Sequence, residues 1–183
     1  MSDIAATGPA SDAPRVLIVE ASRTALGVLV RRIGVAGYRI ATADSTPAAI
    51  AELHRLPVDL ILAELDMPKS SGVELTRMIR EDAVHRDLPV VLIAGRSDST
   101  GAVRALEAGA DDVVVKPFHF EVLVARIARQ MERARAVCEL RGDNATLDAR
   151  IVTRAIELGE MRERWLQSEA ERRRLESLVR GGA

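Results

Sequence analysis

Aromatic side chains are almost missing from this chain of 183 residues: one Trp, one Tyr and two Phe, together 2% of the sequence. Nearly half of it, 48%, is nonetheless hydrophobic, so any core must be aliphatic, built of Leu, Ile, Val, Ala and Met. Lysine is scarce too. It stands only at Lys69 and Lys116, and arginine supplies the rest of the basic side. The single cysteine, Cys138, excludes an intramolecular disulfide framework and fits a reducing cytoplasm. No run reaches the roughly 18 or more apolar residues of a membrane span. Residues 1–14 are small, polar and acidic, without the basic start and apolar stretch of a signal peptide, and read as a disordered tail. A formal net charge of -1 gives no electrostatic reason to expect nucleic acid or an acidic membrane as partner. His54, His85 and His119 are scattered without ligand spacing, so no metal site is expected of them. Nothing reads as a helix-turn-helix, a basic helix or an RNA-binding motif.

What is present is a regular alternation. Short apolar runs at 16–19, 38–42, 58–63, 89–94 and 113–115 read as strands. Between them lie helical patterns. Ser22 is placed to cap the first, with Leu26, Val30 and Ile33 at helical spacing before Gly37. Pro47 suits the first turn of the second. The third runs over 72–81 with Val73, Leu75, Met78 and Ile79 inward, and the fourth over 100–108. Strands this uniformly apolar suit a parallel sheet covered on both faces. Five such units predict an α/β fold, a doubly wound five-stranded parallel sheet with its site at the carboxyl ends of the strands.

From Glu121 onward only helix formers remain. Val124, Ile127, Met131, Ala134 and Cys138 make one stripe, broken near Arg141-Gly142-Asp143-Asn144. A second register follows, in which Ile151, Leu158, Trp165 and Val179 fall on one heptad position and Leu147, Met161 and Leu175 on its companion. Heptads flanked by Arg and Glu predict a coiled coil, although Arg154 and Arg172 lie on its seam. The competing reading is a solvated single helix. The apolar stripe finds nothing else in the chain to pack against, which favours a homodimer through the C-terminal helix. The expected organisation is a tail at 1–14, an α/β domain at 15–135 and a helical extension at 136–183.

Glu64 closes the third apolar run and is followed by Met67-Pro68, and a later run closes on Val115-Lys116-Pro117-Phe118. Over 15–135 this order of motifs resembles the receiver domain of two-component response regulators, a flavodoxin-like fold. By that resemblance Glu64 stands where the family has its phosphoacceptor aspartate. Glu20 and Ala21 stand where two adjacent acids help to bind Mg²⁺. Ala94 takes the place of a Ser or Thr that contacts the phosphoryl group, Val113 that of a switch aromatic, and Lys116 that of the pocket lysine. The same resemblance implies a cis peptide bond at Lys116-Pro117 and a structural role for Asp111-Asp112.

The departures compound. Mg²⁺ demands near-octahedral oxygen ligation at about 2.0–2.1 Å, and Ala21 removes a ligand and a charge together. Glu64 carries an extra methylene, moving its carboxylate by about one bond length, ~1.5 Å, while a misplacement of about 1 Å can cost on the order of a hundredfold in phosphoryl transfer. Ala94 lacks the hydroxyl donor. The reading is a degenerate receiver with weak or lost Mg²⁺ binding and no enzymatic turnover, serving two-component signalling as a phosphorylation-independent dimeric adaptor in the cytoplasm, with a signalling protein as its unidentified partner and neither nucleic acid nor membrane. Two alternatives stand beside it: a phosphorylatable regulator with an unusual acceptor, and the regulatory segment of a longer output enzyme, a cyclic-dinucleotide enzyme or histidine kinase. Glu64 itself has two readings. Its longer ionised side chain imitates the acyl phosphate towards Lys116, or it is a surviving acid paired with a surviving lysine.

Overall fold

The computed structural model describes residues 12–68, 70–96 and 98–180. It divides into two compact units, Met1–Arg135 and Ala136–Ala183. In the first, β1 (Arg15–Val19), β2 (Arg39–Ala43), β3 (Leu60–Glu64), β6 (Val90–Ala94) and β7 (Asp112–Val115) form one parallel sheet in the order β2-β1-β3-β6-β7. Helices α1 (Arg23–Val35), α2 (Thr46–Arg55), α3 (Gly72–Glu81) and α4 (Ser99–Glu107) connect the strands, and α5 runs from Phe120 to Arg180. A short antiparallel pair, β4 (Asp66–Met67) and β5 (Ser70–Ser71), follows β3 and was not legible in the sequence.

The aliphatic core lies on both faces of the sheet, as the uniform strands require. Leu17, Val19, Ile61, Ala63, Leu92 and Ala94 face the side holding Leu53, Leu75 and Ile79. Val16, Ile18, Leu60, Leu62, Val91 and Ile93 face the side holding Leu29, Ile33, Leu123, Ile127 and Met131. Alternate residues of one strand thus feed two cores, because a pleated strand sends successive side chains to opposite faces.

Caps set several helix boundaries. The Ser22 hydroxyl accepts from the Ala25 amide, Ser71 from Val73 and Asp98 from Gly101, so α4 begins at Ser99, one residue ahead of its expected start. Met78 is a correction to the sequence reading: it is 47% exposed. The inward arc of α3 is Gly72, Leu75, Thr76 and Ile79, the i, i+3, i+4, i+7 set, with Val73 buried beside it, and Thr76 turns its hydroxyl back to the Gly72 carbonyl. Leu123 is fully buried in the core and Val124 only half-buried, so the first stripe of α5 runs through Leu123, Ile127 and Met131. Cys138 is exposed. The helix passes without interruption through 141–144.

The expected tail at 1–14 falls mostly outside the described residues. Its last member, Pro14, accepts a hydrogen bond from the Arg39 amide and so is part of the ordered sheet edge. Two arginine clips hold the edge where the strands begin. Arg15 is buried; its amide donates to Asp59 Oδ2 at 2.7 Å and its guanidinium to the Pro57 carbonyl at 2.7 Å. Arg80, at the end of α3, donates to the carbonyls of Gly109, Arg86 and Leu88 and to Asp111 Oδ2. Asp111 Oδ2 also accepts from the Val90 amide, tying the start of β6 to the turn before β7.

In the second unit the helix leaves its apolar positions in water. Leu147, Ile151, Leu158, Met161 and Trp165 are 52%, 65%, 60%, 54% and 63% exposed in the single chain. The side chain of Leu175 lies outside the described ones.

Candidate functional site

The site forms at the other edge of the sheet, where β1, β3, β6 and β7 end. Glu64 is the last residue of β3, in register with Ile93, and Ala94 is the last of β6, in register with Val115. Lys116 follows β7, and its amide donates to the Ala94 carbonyl at 2.9 Å. The Lys116-Pro117 bond is cis. This corner delivers the Lys116 ammonium to Glu64, Nζ donating to Oε2 at 2.6 Å. The Glu64 side chain is 12% exposed and that of Lys116 43%.

Glu20 follows β1 and is buried. Its amide donates to the Ala43 carbonyl, and its Oε1 accepts from the Ser22 amide at 2.7 Å. Ala21 is partly buried and Ala94 fully so, both against the core beneath. Val113 packs half-buried on the same cluster. Among the sequence-derived candidates, the chain fold therefore gathers Glu20, Ala21, Glu64, Ala94 and Lys116 at one sheet edge. Val113 lies one turn of the β7 pleat below them.

Burial pushes the Glu64 carboxyl above its ordinary pKa; the Lys116 hydrogen bond and charge pull it down, and the neighbouring Glu20 pushes it up again. The net direction is upward, so the burial penalty and the second acid outweigh the lysine. A carboxyl with a raised pKa in the fold contributes stability below its unfolded pKa, and that contribution is lost as pH rises through the folded value. Glu64→Gln keeps the shape without the charge, and the half-exposed Lys116 it leaves behind stays hydrated. Urea unfolding should show the variant more stable than the parent above neutral pH, with the gap closing as pH falls below the ordinary carboxylate range.

Gly72 holds the loop after Glu64. Its amide donates to the Leu65 carbonyl at 2.9 Å, and Leu65 donates to the Ile93 carbonyl at 2.8 Å. Asp66, in β4, is exposed. Phe118 and Phe120 meet edge to face at 5.5 Å beyond the cis bond, and Arg32 of α1 lies 5.3 Å over the Phe120 ring. Sequence reasoning missed the positioning role of Gly72. A glycine opening a helix two turns of chain after the Glu64 strand was its only signal.

The profile of the response regulator receiver domain matches residues 16–128. This chain belongs to the response regulator receiver family. The transcriptional regulatory protein PrrA of Mycobacterium tuberculosis is 34% identical over 140 residues, which is 76% of this chain and 56% of that protein. The phosphate regulon transcriptional regulatory protein PhoB of Escherichia coli is 33% identical over 121 residues, 66% of this chain and 53% of that protein. The chain thus spans about half the length of the curated relatives it matches. Among solved structures, the receiver domain of a signal transduction histidine kinase from Syntrophus aciditrophicus superposes with a TM-score of 0.62 at 32% identity, covering 66% of this chain and 91% of that one.

As a receiver, the chain has the five-stranded sheet, with Glu64 at the end of β3 and Lys116 after β7 paired at the edge where the strands finish. The Asp111-Asp112 turn is fastened on both sides: Asp111 to Arg80, and Asp112 to Arg126 of α5 at 2.7 Å. No helix among the described residues is long and apolar enough to cross a membrane.

Proposed function

We propose that this receiver is degenerate and signals by binding alone, as a dimeric adaptor in two-component transduction, without accepting a phosphoryl group or turning over a substrate. The observation that carries the reading is the closed contact between Lys116 and Glu64 at 2.6 Å, in a pocket where Ala21 and Ala94 offer no side-chain oxygen. The lysine that would meet an incoming phosphoryl oxygen is already engaged by the acceptor's own longer side chain.

The donor set does not suit Mg²⁺. Glu20 spends one oxygen on the Ser22 amide, Glu64 spends one on Lys116, and position 21 brings a methyl where a hard cation needs oxygen. The Glu64 contact favours the reading in which this side chain stands in for an acyl phosphate towards Lys116, holding the loops at this edge in one arrangement. The partner is a signalling protein that reads those loops.

The test is incubation with acetyl phosphate and Mg²⁺, followed by intact mass. No gain of a phosphoryl group is expected for the parent or for Glu64→Asp alone. The triple change Ala21→Asp, Glu64→Asp, Ala94→Thr should restore measurable uptake. Stable phosphorylation of the parent at Glu64 or Asp66 would establish the opposite reading, a regulator with an unusual acceptor.

The helical extension supplies the dimer. Burying a large apolar side chain is worth roughly 1.5–3 kcal/mol, and Leu147, Ile151, Leu158, Met161 and Trp165 all lie exposed in a single chain. Sedimentation should find the full chain dimeric and a version ending at Arg135 monomeric and folded. A truncated chain that stayed dimeric would place the interface on the receiver itself.

A further inference from the structure

The exposed stripe of α5 holds more than hydrophobic positions; it carries a charge pattern that distinguishes the two ways of pairing it. We infer that the partner of this helix is a second copy running antiparallel, in the register that sets Leu158 against Met161. The inference rests on the dimer reading above and goes beyond it, since a heptad stripe alone leaves the orientation open.

The seam positions within the described helix alternate Leu147, Ile151, Arg154, Leu158, Met161, Trp165, then Ser168 and Arg172. In a parallel, in-register pair every seam residue meets its own copy. Arg154 then lies against Arg154 and Arg172 against Arg172, two like-charge layers inside the stripe, while Ser168 meets Ser168. Reversing one helix pairs each first-position residue with a fourth-position residue instead. With Leu158 against Met161, the arginine at 154 falls opposite Trp165 of the second copy, where a guanidinium can stack on the indole face. Arg172 falls opposite Leu147, whose side chain its aliphatic stem can cover. Ile151 meets Ser168. No arginine meets an arginine.

The flanks select the register as well. In this arrangement Glu157 faces Arg164 and Arg150 faces Glu171, each twice by symmetry, and all four side chains are exposed. Sliding the copies by one heptad in one direction brings Arg154 against Arg172. Sliding in the other brings Arg150 against Arg164 and Glu157 against its own copy. A single adverse pair remains in the favoured register, the aspartate at position 148 against Glu169. Glu169 already has a neutralising partner on its own helix in Arg172, at 2.8 Å. The parallel pair also satisfies Glu157 and Arg164, through Arg162 and Glu169, but leaves Arg150 opposite Ala155 and keeps both arginine layers in the seam.

Cys138 makes the orientation measurable in the unmodified chain, being exposed, helical and the only cysteine. At 1.5 Å rise per residue, the two Cys138 sites of the antiparallel dimer stand about 65 Å apart. In a parallel dimer they stand one helix spacing apart, about 10 Å. The experiment is nitroxide labelling of Cys138 in the full chain, with pulsed dipolar distances and sedimentation on the same sample. The expected result is a dimeric mass with a distance near the longer value. A dimeric mass with a distance below about 25 Å, allowing for the labels, overturns the antiparallel assignment and leaves the dimer standing. A monomeric mass overturns the dimer itself.

A charge exchange gives an independent reading. Glu157→Arg should weaken the dimer about tenfold. Combining it with Arg164→Glu in the same chain should restore the parent affinity, because the two positions face each other across the antiparallel pair. In a parallel pair the double variant sets Arg against Arg162 and Glu against Glu169, so continued weakness of the double variant counts against the proposal.

Discussion

Arg80→Ala is expected to remove about 2–4 kcal/mol of unfolding free energy, because hydrogen bonds to a charged group contribute more than neutral ones and here several are lost together. The Arg80 guanidinium serves the carbonyls of Gly109, Arg86 and Leu88 and the carboxylate of Asp111, all at 2.7–2.9 Å. Alanine leaves those acceptors to water, and part of the cost is returned because the site is partly exposed. The turn that loses its fastening includes Gly109, whose φ of 98° no other side chain tolerates well. For a unit of this size the loss corresponds to a fall in melting temperature of roughly 10 °C. Arg80→Lys should recover only a fraction, since a single ammonium cannot span a fork of partners on three segments. Calorimetry on the three proteins checks the order. An alanine variant within about 2 °C of the parent, the span of the roughly ±0.5 kcal/mol that ordinary surface changes produce, would mean that the clip carries no stability.

The second large effect is steric. A Cβ at Gly72 would stand 2.7 Å from the Glu64 carbonyl oxygen, 3.0 Å from Leu92 Cδ2 and 3.2 Å from Leu65 Cα. Two of the three are backbone atoms of the segment that carries the site, and they cannot rotate away as a side-chain tip would. Gly72→Ala is therefore expected to cost about 1–3 kcal/mol in overpacking, against which the better helix propensity of alanine offsets at most about 1 kcal/mol. Gly72→Val should cost more. The same displacement moves Glu64 off Lys116, so amide exchange at Leu65, whose proton is held by the Ile93 carbonyl, should quicken more than exchange in β1. If Gly72→Ala leaves both stability and that exchange unchanged, the loop is looser than its hydrogen bonds imply.

The central strands β1, β3 and β6 were legible in the sequence because they are almost wholly buried runs of β-branched and aliphatic residues, too short for a helix, whereas the edge strands β2 and β7 are partly exposed and gave a weaker pattern. The cap at Ser22 was legible because a Ser stands just before the periodic residues, whereas the caps at Ser71 and Asp98 were not read, and Ser45 makes no side-chain cap bond. Inward faces were read less well. Val73, Leu75 and Ile79 were found by their hydrophobicity, and the same criterion wrongly took in Met78 and passed over Thr76, which satisfies its own hydroxyl on the Gly72 carbonyl. On α5, hydrophobicity could not distinguish Leu123 from Val124, adjacent residues of which only the first sits on the arc with Ile127 and Met131.

At the site, Glu20, Ala21, Glu64, Ala94 and Lys116 were singled out one by one through the resemblance to receivers, on the order of the motifs along the chain. Their common edge follows from the parallel topology. The arginine clips were not readable, because Arg80 looks like any charged residue in a last helical turn, and its partners lie 6 to 31 residues further along. The two-residue pair β4 and β5 left no trace either, being too short for an alternating pattern.

Both arginine clips fasten the edge where strands start, and the carboxylates and lysine occupy the edge where they finish. Fastening and chemistry are thereby put at opposite poles of one sheet, with fully buried aliphatic residues between them. Substitutions at one pole are therefore expected to leave the other's contacts in place, making the finishing edge a surface that can be rewritten without renegotiating the architecture. Such separability would let a chain of this fold exchange the residues of its chemistry and still keep its shape.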